Sequence, residues 1–316
     1  MNARCPVFLL LLAAVSAPAL ADPADDLQAC IDAGHTGDGR ATVASCSKTL
    51  GSPALADEDR VTALSNRSLG YRNTGDFDAA IGDCNAALKL DADSVAAHYA
   101  CGQAYGSKGD YRQAEASFSR VIDLKPDFVY AAAAHNARGN IYDQIGAYDK
   151  ALADFDAALK LNPYLGWAAL NRGVVLYNQG RWKEAADALQ QIVEDDRGNA
   201  YAVLWHVLAQ RRLGQGVAMD LFTETMTVDT DQWPGPILRR FRNAQPMFGQ
   251  KEPETGANLD PELTPQQDCE TAFYEGEWSL LDGDKDAARR QLRHAADTCP
   301  KTFIEHAGAI AELERM

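Results

Sequence analysis

Small and bulky residues return along the chain at an interval of 34 positions. The pattern has a small residue at position 8, a bulky one at 11, glycine at 15, an aromatic at 17, alanine at 20, a bulky residue at 24 and a small one at 27, and single copies depart from it, as at Ile192. Four adjacent copies occupy residues 61–94, 95–128, 132–165 and 166–199. This period predicts one pair of helices per copy and stacking of successive pairs.

The pattern positions have physical roles in a helical hairpin. Small residues at position 8, such as Gly102, let the two helices approach closely, and glycine at 15, such as Gly109, ends the first helix in a left-handed conformation. Proline at position 32, as in Pro126, stops the second helix. The pattern resembles the tetratricopeptide repeat (TPR). That resemblance implies an all-α solenoid, a right-handed superhelix of hairpins with a concave groove.

The register changes between and after these copies. Three extra residues, 129–131, predict a longer first helix in the third copy. Residues 200–214 fit the first helix of a fifth copy, whose partner helix from about residue 217 is degenerate, so we expect a degenerate repeat and helices over 200–249. Three prolines and little apolar content predict a loop over 250–267.

Both ends of the array are expected to be covered. Residues 22–58 contain a short helical hairpin, over 24–50, that departs from the repeat pattern and is expected to cover the first copy. A last copy fits 269–302, and a capping helix follows, so that 269–316 form a C-terminal repeat with its cap.

Residues 1–21 have the pattern of a secretory signal peptide. Arg4 precedes a short apolar run over 7–15, and Ala19-Leu20-Ala21 is a small-x-small cleavage site. A lipid anchor would need a cysteine where Asp22 stands. We therefore expect a periplasmic protein, soluble after cleavage and without a stable membrane anchor.

The net charge of the chain argues against some classes of binding partner. Thirty Lys and Arg residues stand against 45 Asp and Glu, for a net charge of −15. Nucleic acids and anionic membrane surfaces reward basic patches, so we do not expect nucleic acid as a partner. A protein or peptide partner is expected instead.

Six cysteines follow the predicted signal peptide, and an even number in an exported protein suggests disulfides. Positions 24 of the first copy and 7 of the second face each other across adjacent helices. The other two pairs join the helices of the N-terminal hairpin and the open ends of the last hairpin. The predicted bonds are Cys30–Cys46, Cys84–Cys101 and Cys269–Cys299. Alternatively, Cys84 and Cys101 are only small core residues.

The sequence contains none of the common catalytic motifs. No two histidines have metal-ligand spacing on one helix, and His98 and His135 fall at a packing position of their repeats. The sequence has no GxSxG, phosphate loop, HExxH or CxxC. We expect neither enzyme activity nor a cofactor or metal.

The first helix of each hairpin should line the concave face. Side-chain amides and aromatics dominate its inward positions; amides can pair bidentately with a peptide backbone, and aromatics add apolar area. No lysine occupies these inward positions, whereas TPR clamps that bind a terminal carboxylate carry several lysines there. The candidate groove residues are Arg72, Asn73, Tyr99, Gln103, Ser107, Asn136, Asn140, Asp143, Gln144, Trp167, Asn171, Tyr177 and Asn178. Alternatively, Asn66 and Asn171 only hydrogen-bond between helices.

The whole chain after the predicted signal peptide, and more clearly its second half, also resembles the NlpI type of periplasmic TPR protein. The segments that carry this resemblance are Asn171-Arg172-Gly173, Tyr201-Ala202-Val203-Leu204-Trp205, Asp231-Gln232-Trp233-Pro234 before the helix 237–242, and a terminal repeat from Ala272-Phe273-Tyr274-Glu275-Gly276 to Phe303-Ile304-Glu305-His306. The resemblance implies an envelope adaptor, often homodimeric, that binds a C-terminal-processing protease and brings cell-wall hydrolases to it. The missing lipidated cysteine and the paired cysteines depart from this family.

Two functions follow from these observations. The leading hypothesis is a periplasmic adaptor or scaffold for envelope proteins. The alternative is a structural subunit of an export or surface-appendage assembly.

Overall fold

The computed structural model describes residues 23–124, 127–214, 228–243 and 263–316. Within these ranges the chain forms fifteen α-helices and no strand. The predicted signal peptide over 1–21 lies outside the described residues. In chain order the helices are α1 Pro23–His35, α2 Gly39–Leu50, α3 Asp57–Asn73, α4 Phe77–Leu90, α5 Val95–Lys108, α6 Tyr111–Asp123, α7 Phe128–Gln144, α8 Tyr148–Leu161, α9 Gly166–Asn178, α10 Trp182–Asp195, α11 Ala200–Arg212, α12 Gly235–Asn243, α13 Pro265–Leu281, α14 Lys285–Thr298 and α15 Ile304–Arg315.

Successive helices pair as hairpins that stack on one another. The pairs α3/α4, α5/α6, α7/α8 and α9/α10 each pack internally, and each second helix also packs against the first helix of the next pair. The N-terminal pair α1/α2 packs on α3. The all-α solenoid predicted from the repeat is confirmed.

Two glycine positions explain the tightness of the hairpins. Gly109 ends α5 at φ 87°, in the left-handed region that favours glycine. Gly102 faces α6 so closely that a Cβ there would lie 2.6 Å from the Phe118 ring. Any larger residue at this position would push the two helices apart.

Two helix boundaries differ from the sequence prediction, and one agrees with it. Helix α7 has 17 residues, the longer first helix expected for the third copy. Helix α3 begins at Asp57, before the first copy as aligned. The loop expected over 250–267 is wrong at its end, because α13 begins at Pro265. Proline is tolerated at a helix start, and Thr264 forms a capping box with Gln267.

The largest core lies in the C-terminal half. Helix α11 is buried over Ala202–Ala209, as expected for a helix that is apolar all round. Trp205 is fully buried, with the Phe273 and Tyr274 ring centroids at 5.1 and 6.0 Å. Helix α12 adds Ile237 to this core. The degenerate partner helix expected from about residue 217 lies outside the described residues up to residue 227.

The six cysteines stand at disulfide-bonding distance in the three predicted pairs. The Cα–Cα distances are 4.6 Å for Cys30–Cys46, 5.3 Å for Cys84–Cys101 and 5.0 Å for Cys269–Cys299. The first and third pairs tie two helices of one hairpin, whereas the second joins α4 to α5 across neighbouring hairpins. No helix in the described part of the chain is long and apolar enough to cross a membrane.

Candidate peptide-binding groove

The C-terminal helix α15 folds back onto the concave face of the array. It packs against α9 and also touches α7. Gln144 on α7 donates to the Phe303 carbonyl at 3.1 Å, and its Oε1 lies 3.0 Å from Nδ1 of His306. At the other end of α15, Arg315 donates to the Asn178 carbonyl at 3.1 Å. The chain's own C-terminus therefore covers the groove at the end of the third copy and over the fourth.

Three of the predicted groove residues accordingly do not line an open groove. Tyr177 is fully buried, and Asp143 and Asn178 are also buried. Gln144 makes the contacts to residues 303 and 306 described above. The positions were predicted from single repeats, and no single repeat contains the segment that packs on them.

A buried polar network joins α9, α11, α13 and α15. The Tyr177 hydroxyl donates to Glu277 Oε2 at 2.6 Å. Arg212 Nη2 lies 2.8 Å from carboxylate oxygens of both Glu277 and Glu312. Burial, together with the nearby Glu312 charge, raises the pKa of Glu277 to about 7 although Arg212 opposes the shift. Burial likewise raises the pKa of Asp143 to about 7.

A second polar cluster fixes residues 228–243 to the C-terminal repeat. Glu270 accepts hydrogen bonds from the Tyr201 hydroxyl at 2.9 Å and from Trp233 Nε1 at 2.8 Å. The Tyr274 hydroxyl donates to Glu305 at 2.8 Å. Burial and the charge of Glu270 raise the pKa of Glu305 to about 8. The cluster therefore joins α11, α13, α15 and the segment before α12.

The concave face between the second and third copies stays open. A cavity of about 100 Å³ lies there, bounded by α5, α6, α7 and the turn before α15. The structure brings together five predicted groove residues in its lining: Tyr99, Gln103, Asn136, Asn140 and Gln144.

Sequence reasoning missed two kinds of lining residue. Lys301 and Thr302 close one end of the cavity, and Lys301 packs against Gly109. Tyr111 and Phe118 add apolar walls from α6. The second pair could have been found, since both occupy repeat positions that face the first helix. Nothing in the sequence around Lys301 points to a contact with α5.

The amides around the cavity are held by neighbouring helices. Arg72 Nη1 donates to Gln103 Oε1 at 2.9 Å, and Gln103 Nε2 donates to the Tyr99 hydroxyl at 3.1 Å. Burial lowers the pKa of Arg72, which has no carboxylate partner among its described hydrogen bonds. These contacts fix side-chain orientations before a ligand arrives.

Of the two asparagines with an alternative interpretation, Asn171 bonds between helices, as that interpretation expects, and Asn66 bonds within its own helix. Asn171 Nδ2 donates to Asn140 Oδ1 at 2.8 Å and to Asn136 Oδ1 at 3.3 Å, linking α9 to α7. Asn66 Nδ2 donates to the Thr62 carbonyl of its own helix at 3.0 Å. Asn171 therefore orients cavity residues without lining the cavity itself.

The remaining predicted groove residues lie away from the cavity. Asn73 is exposed beside the N-terminal hairpin and donates to the Gly37 carbonyl at 3.3 Å. Ser107 is half-buried near the end of α5. Trp167 is 72% exposed in the first turn of α9.

The cavity offers hydrogen-bond donors and acceptors, aromatic surface and one ammonium group. It suits a polar backbone that carries apolar side chains. Among the described residues no group of three or more His, Cys, Asp or Glu could hold a metal ion.

The repeated segments match models of a known repeat family. Models described as tetratricopeptide or TPR repeats match residues 70–109, 95–128, 132–165 and 167–198. Two of these matches, 95–128 and 132–165, coincide with the predicted second and third copies.

Solved structures share the fold at low sequence identity. A TPR protein from Parabacteroides merdae is 15% identical with a TM-score of 0.56, over 92% of this chain and 98% of that one. A thermophilic TPR protein from Thermus thermophilus is 17% identical with a TM-score of 0.50, over 60% of this chain and 98% of that one. Together with the hairpins and their glycine positions, these matches show that residues 70–198 form a tetratricopeptide-repeat array.

Proposed function

We propose that this protein is a periplasmic adaptor that binds an extended segment of another envelope protein in the open cavity on its concave face. The single observation that carries the proposal is the cavity lined by Tyr99, Gln103, Asn136 and Asn140. Side-chain amides supply a donor and an acceptor each, which is what a peptide backbone requires. TPR arrays generally act through protein–protein interaction on such extended concave surfaces.

The proposed location rests on two features. The first is the signal-peptide pattern over residues 1–21. The second is the set of three cysteine pairs at disulfide-bonding distance, since such bonds persist in oxidising compartments, including the periplasm. Neither feature depends on the groove, so location and binding can be tested separately.

The proposed partners follow from the NlpI-type resemblance. They are a C-terminal-processing protease and the cell-wall hydrolases that an adaptor would bring to it. Trp205, Trp233 and Glu305, from three of the segments that carry the resemblance, pack in the C-terminal half. Homodimer formation belongs to the same proposal.

Capture of partners from a periplasmic extract, followed by crosslinking and mass spectrometry, tests the proposal. The variant carries Asn136→Ala and Asn140→Ala in the cavity. Its matched control carries Gln190→Ala and Gln191→Ala on α10, where both amides bond to carboxylates of their own helix. We expect the first variant to lose captured envelope proteins and the control to keep them.

Equal capture by both variants would contradict the proposal. A different outcome would support the structural-subunit alternative: a stable complex of fixed composition that survives gentle extraction and does not depend on the cavity residues.

A further inference from the structure

Large apolar side chains are exposed on one edge of the solenoid. Ten such residues are exposed in the described part of the chain, and six of them cluster at two neighbouring turns. One turn leads into α7 and the other into α9. Because every hairpin returns the chain to the same edge, these turns lie side by side. We call this set the aromatic edge; its members are Phe128, Val129, Tyr130, Leu161, Tyr164 and Trp167.

The fold does not need these side chains. Tyr164 is 93% exposed, Trp167 72% and Phe128 60%. None of the six occupies one of the repeat positions that shape the hairpin. Single exposed apolar residues are normal on a protein surface, but a contiguous group marks an interaction site. Tyrosine, tryptophan and phenylalanine are the side chains enriched in protein interfaces.

The aromatic edge is continuous with the open cavity. The Tyr130 ring lies 6.3 Å from the ring of Tyr99, centroid to centroid, in an edge-on arrangement. Tyr99 in turn lines the cavity. A partner on the edge can therefore extend into the groove, although the edge is a separate surface.

The neighbouring turns on the same edge are acidic. The exposed acids there are Asp57, Glu58, Asp91, Asp93, Asp123, Asp127, Asp195 and Asp196. Fewer cations accompany them, and one of these, Arg120, is bonded to Asp93 at 2.6 Å. The others among the described residues of these turns are Lys89, Lys160 and Arg197. Two copies joined through this edge would bring acidic turns together, and an anionic lipid surface would be repelled.

We propose that the aromatic edge docks a cationic segment of a partner protein that carries arginines beside apolar side chains. Arginine fits both components of the edge, because its guanidinium stacks on tryptophan and tyrosine faces and pairs with carboxylates. The apolar residues of the segment would cover Phe128 and Leu161. This surface is distinct from the cavity and does not depend on binding there.

Fluorescence anisotropy with the full chain tests the proposal. The probe is a labelled peptide of about 18 residues, long enough for five helical turns, with arginine and leucine arranged as an amphipathic helix. Two comparison peptides replace leucine by serine or arginine by glutamate. The variant Tyr164→Ser/Trp167→Ser removes two exposed rings, and its control Ile145→Ser/Ile310→Ser removes two exposed apolar side chains elsewhere.

We expect the ring variant to weaken binding of the arginine–leucine peptide by about tenfold or more, as loss of aromatic anchors does. The control should change it less than about twofold, and both comparison peptides should bind more weakly to the unaltered chain. Asn136→Ala/Asn140→Ala should leave probe binding unchanged, which separates this proposal from the cavity proposal.

Three results would overturn it. If the ring variant and its control bind the probe equally well, the probe binds the acidic surface without using the exposed rings. Binding of phosphatidylglycerol vesicles, lost in the ring variant, would assign the edge to lipid. A dimer in light scattering that the ring variant dissociates would assign it to a second copy.

Discussion

The two halves of the solenoid use the same hairpin in opposite ways. In the N-terminal half, from α3 to α8, the first helices present amides and tyrosines to an open concave face. In the C-terminal half, α9 and α11 are buried on that face by α13 and α15. A repeat therefore fixes the hairpin, while the chain that follows the repeats decides whether its concave face is a binding surface or a core.

The difference is visible in two corresponding helices. Helix α5 buries only small residues, among them Ala97, Cys101 and Gly102, and leaves Tyr99 and Gln103 at the cavity. Helix α11 buries Leu204, Trp205 and Leu208 instead. A helix that is apolar all round is stable only inside a core.

We expect the largest loss of stability from removing Trp205, the central side chain of the core in the C-terminal half. Trp205→Ala deletes a fully buried ring, so we expect a loss of about 3–5 kcal/mol in the free energy of unfolding. Hydrogen exchange should increase in α11, α13 and α15 but little in α3–α6. Trp167→Ala is the matched control, because its ring is 72% exposed, and it should cost less than about 1 kcal/mol. Equal losses for the two tryptophans would contradict a core in this half.

The next largest loss of stability is expected from replacing Arg212, the buried cation of the same half. Arg212→Met leaves Glu277 and Glu312 buried without their shared cation, and breaking a buried pair costs about 3–5 kcal/mol. Arg172→Met breaks the more exposed pair with Asp156 and should cost less than about 1 kcal/mol. Urea denaturation measures both. A near-neutral Arg212→Met would show that the carboxyls are protonated without it.

The smallest effect is a difference in how the stability of different helices depends on pH. In the second half, burial raises the pKa of Glu277 to about 7 and of Glu305 to about 8. The carboxyls of the unfolded chain ionise at lower pH than these two, so the free energy of unfolding falls as pH rises from about 4.5 through these values. At Asp154, on α8, the shift has the opposite sign. Burial acts to raise the pKa of Asp154, but hydrogen bonds from Arg138 and His135 lower it, so its contribution is lost in acid.

Hydrogen exchange at about pH 5 and about pH 8 checks this prediction, because it reports the stability of each helix separately. We expect protection of α13 and α15 to decrease at the higher pH, and Glu277→Gln to remove part of the decrease. Protection of α8 should fall below about pH 4, where an aspartate begins to protonate. Helix α7 carries Asp143, whose pKa burial raises to about 7, so its protection should decrease together with that of α13 and α15. The same pH response in α8 as in α13 and α15 would contradict the opposite signs.

The sequence allowed prediction of whatever lies within one repeat or between neighbours. Gly109 was expected in the left-handed region and has φ 87°. Cys84 and Cys101 were expected to face each other because their repeat positions do, and their Cα atoms are 5.3 Å apart. Tyr99 and Asn140 were expected on one concave surface and line one cavity.

What could not be predicted depends on contacts between distant parts of the chain. Gln144 bonds to Phe303, and Tyr177 bonds to Glu277. A repeat position indicates which way a side chain points but not what later arrives there. The same limit hid Lys301 from the groove prediction.

Photocrosslinking at two tyrosines tests the division of the groove most directly. Tyr99 and Tyr177 were both predicted as groove residues, but one lines the open cavity and the other is fully buried. Each is replaced by p-azidophenylalanine, which is close to tyrosine in shape, and the protein is irradiated in periplasmic extract. We predict products with a second protein from the Tyr99 site and only intrachain products from the Tyr177 site. Capture of a partner at the Tyr177 site, or none at the Tyr99 site, would contradict the account.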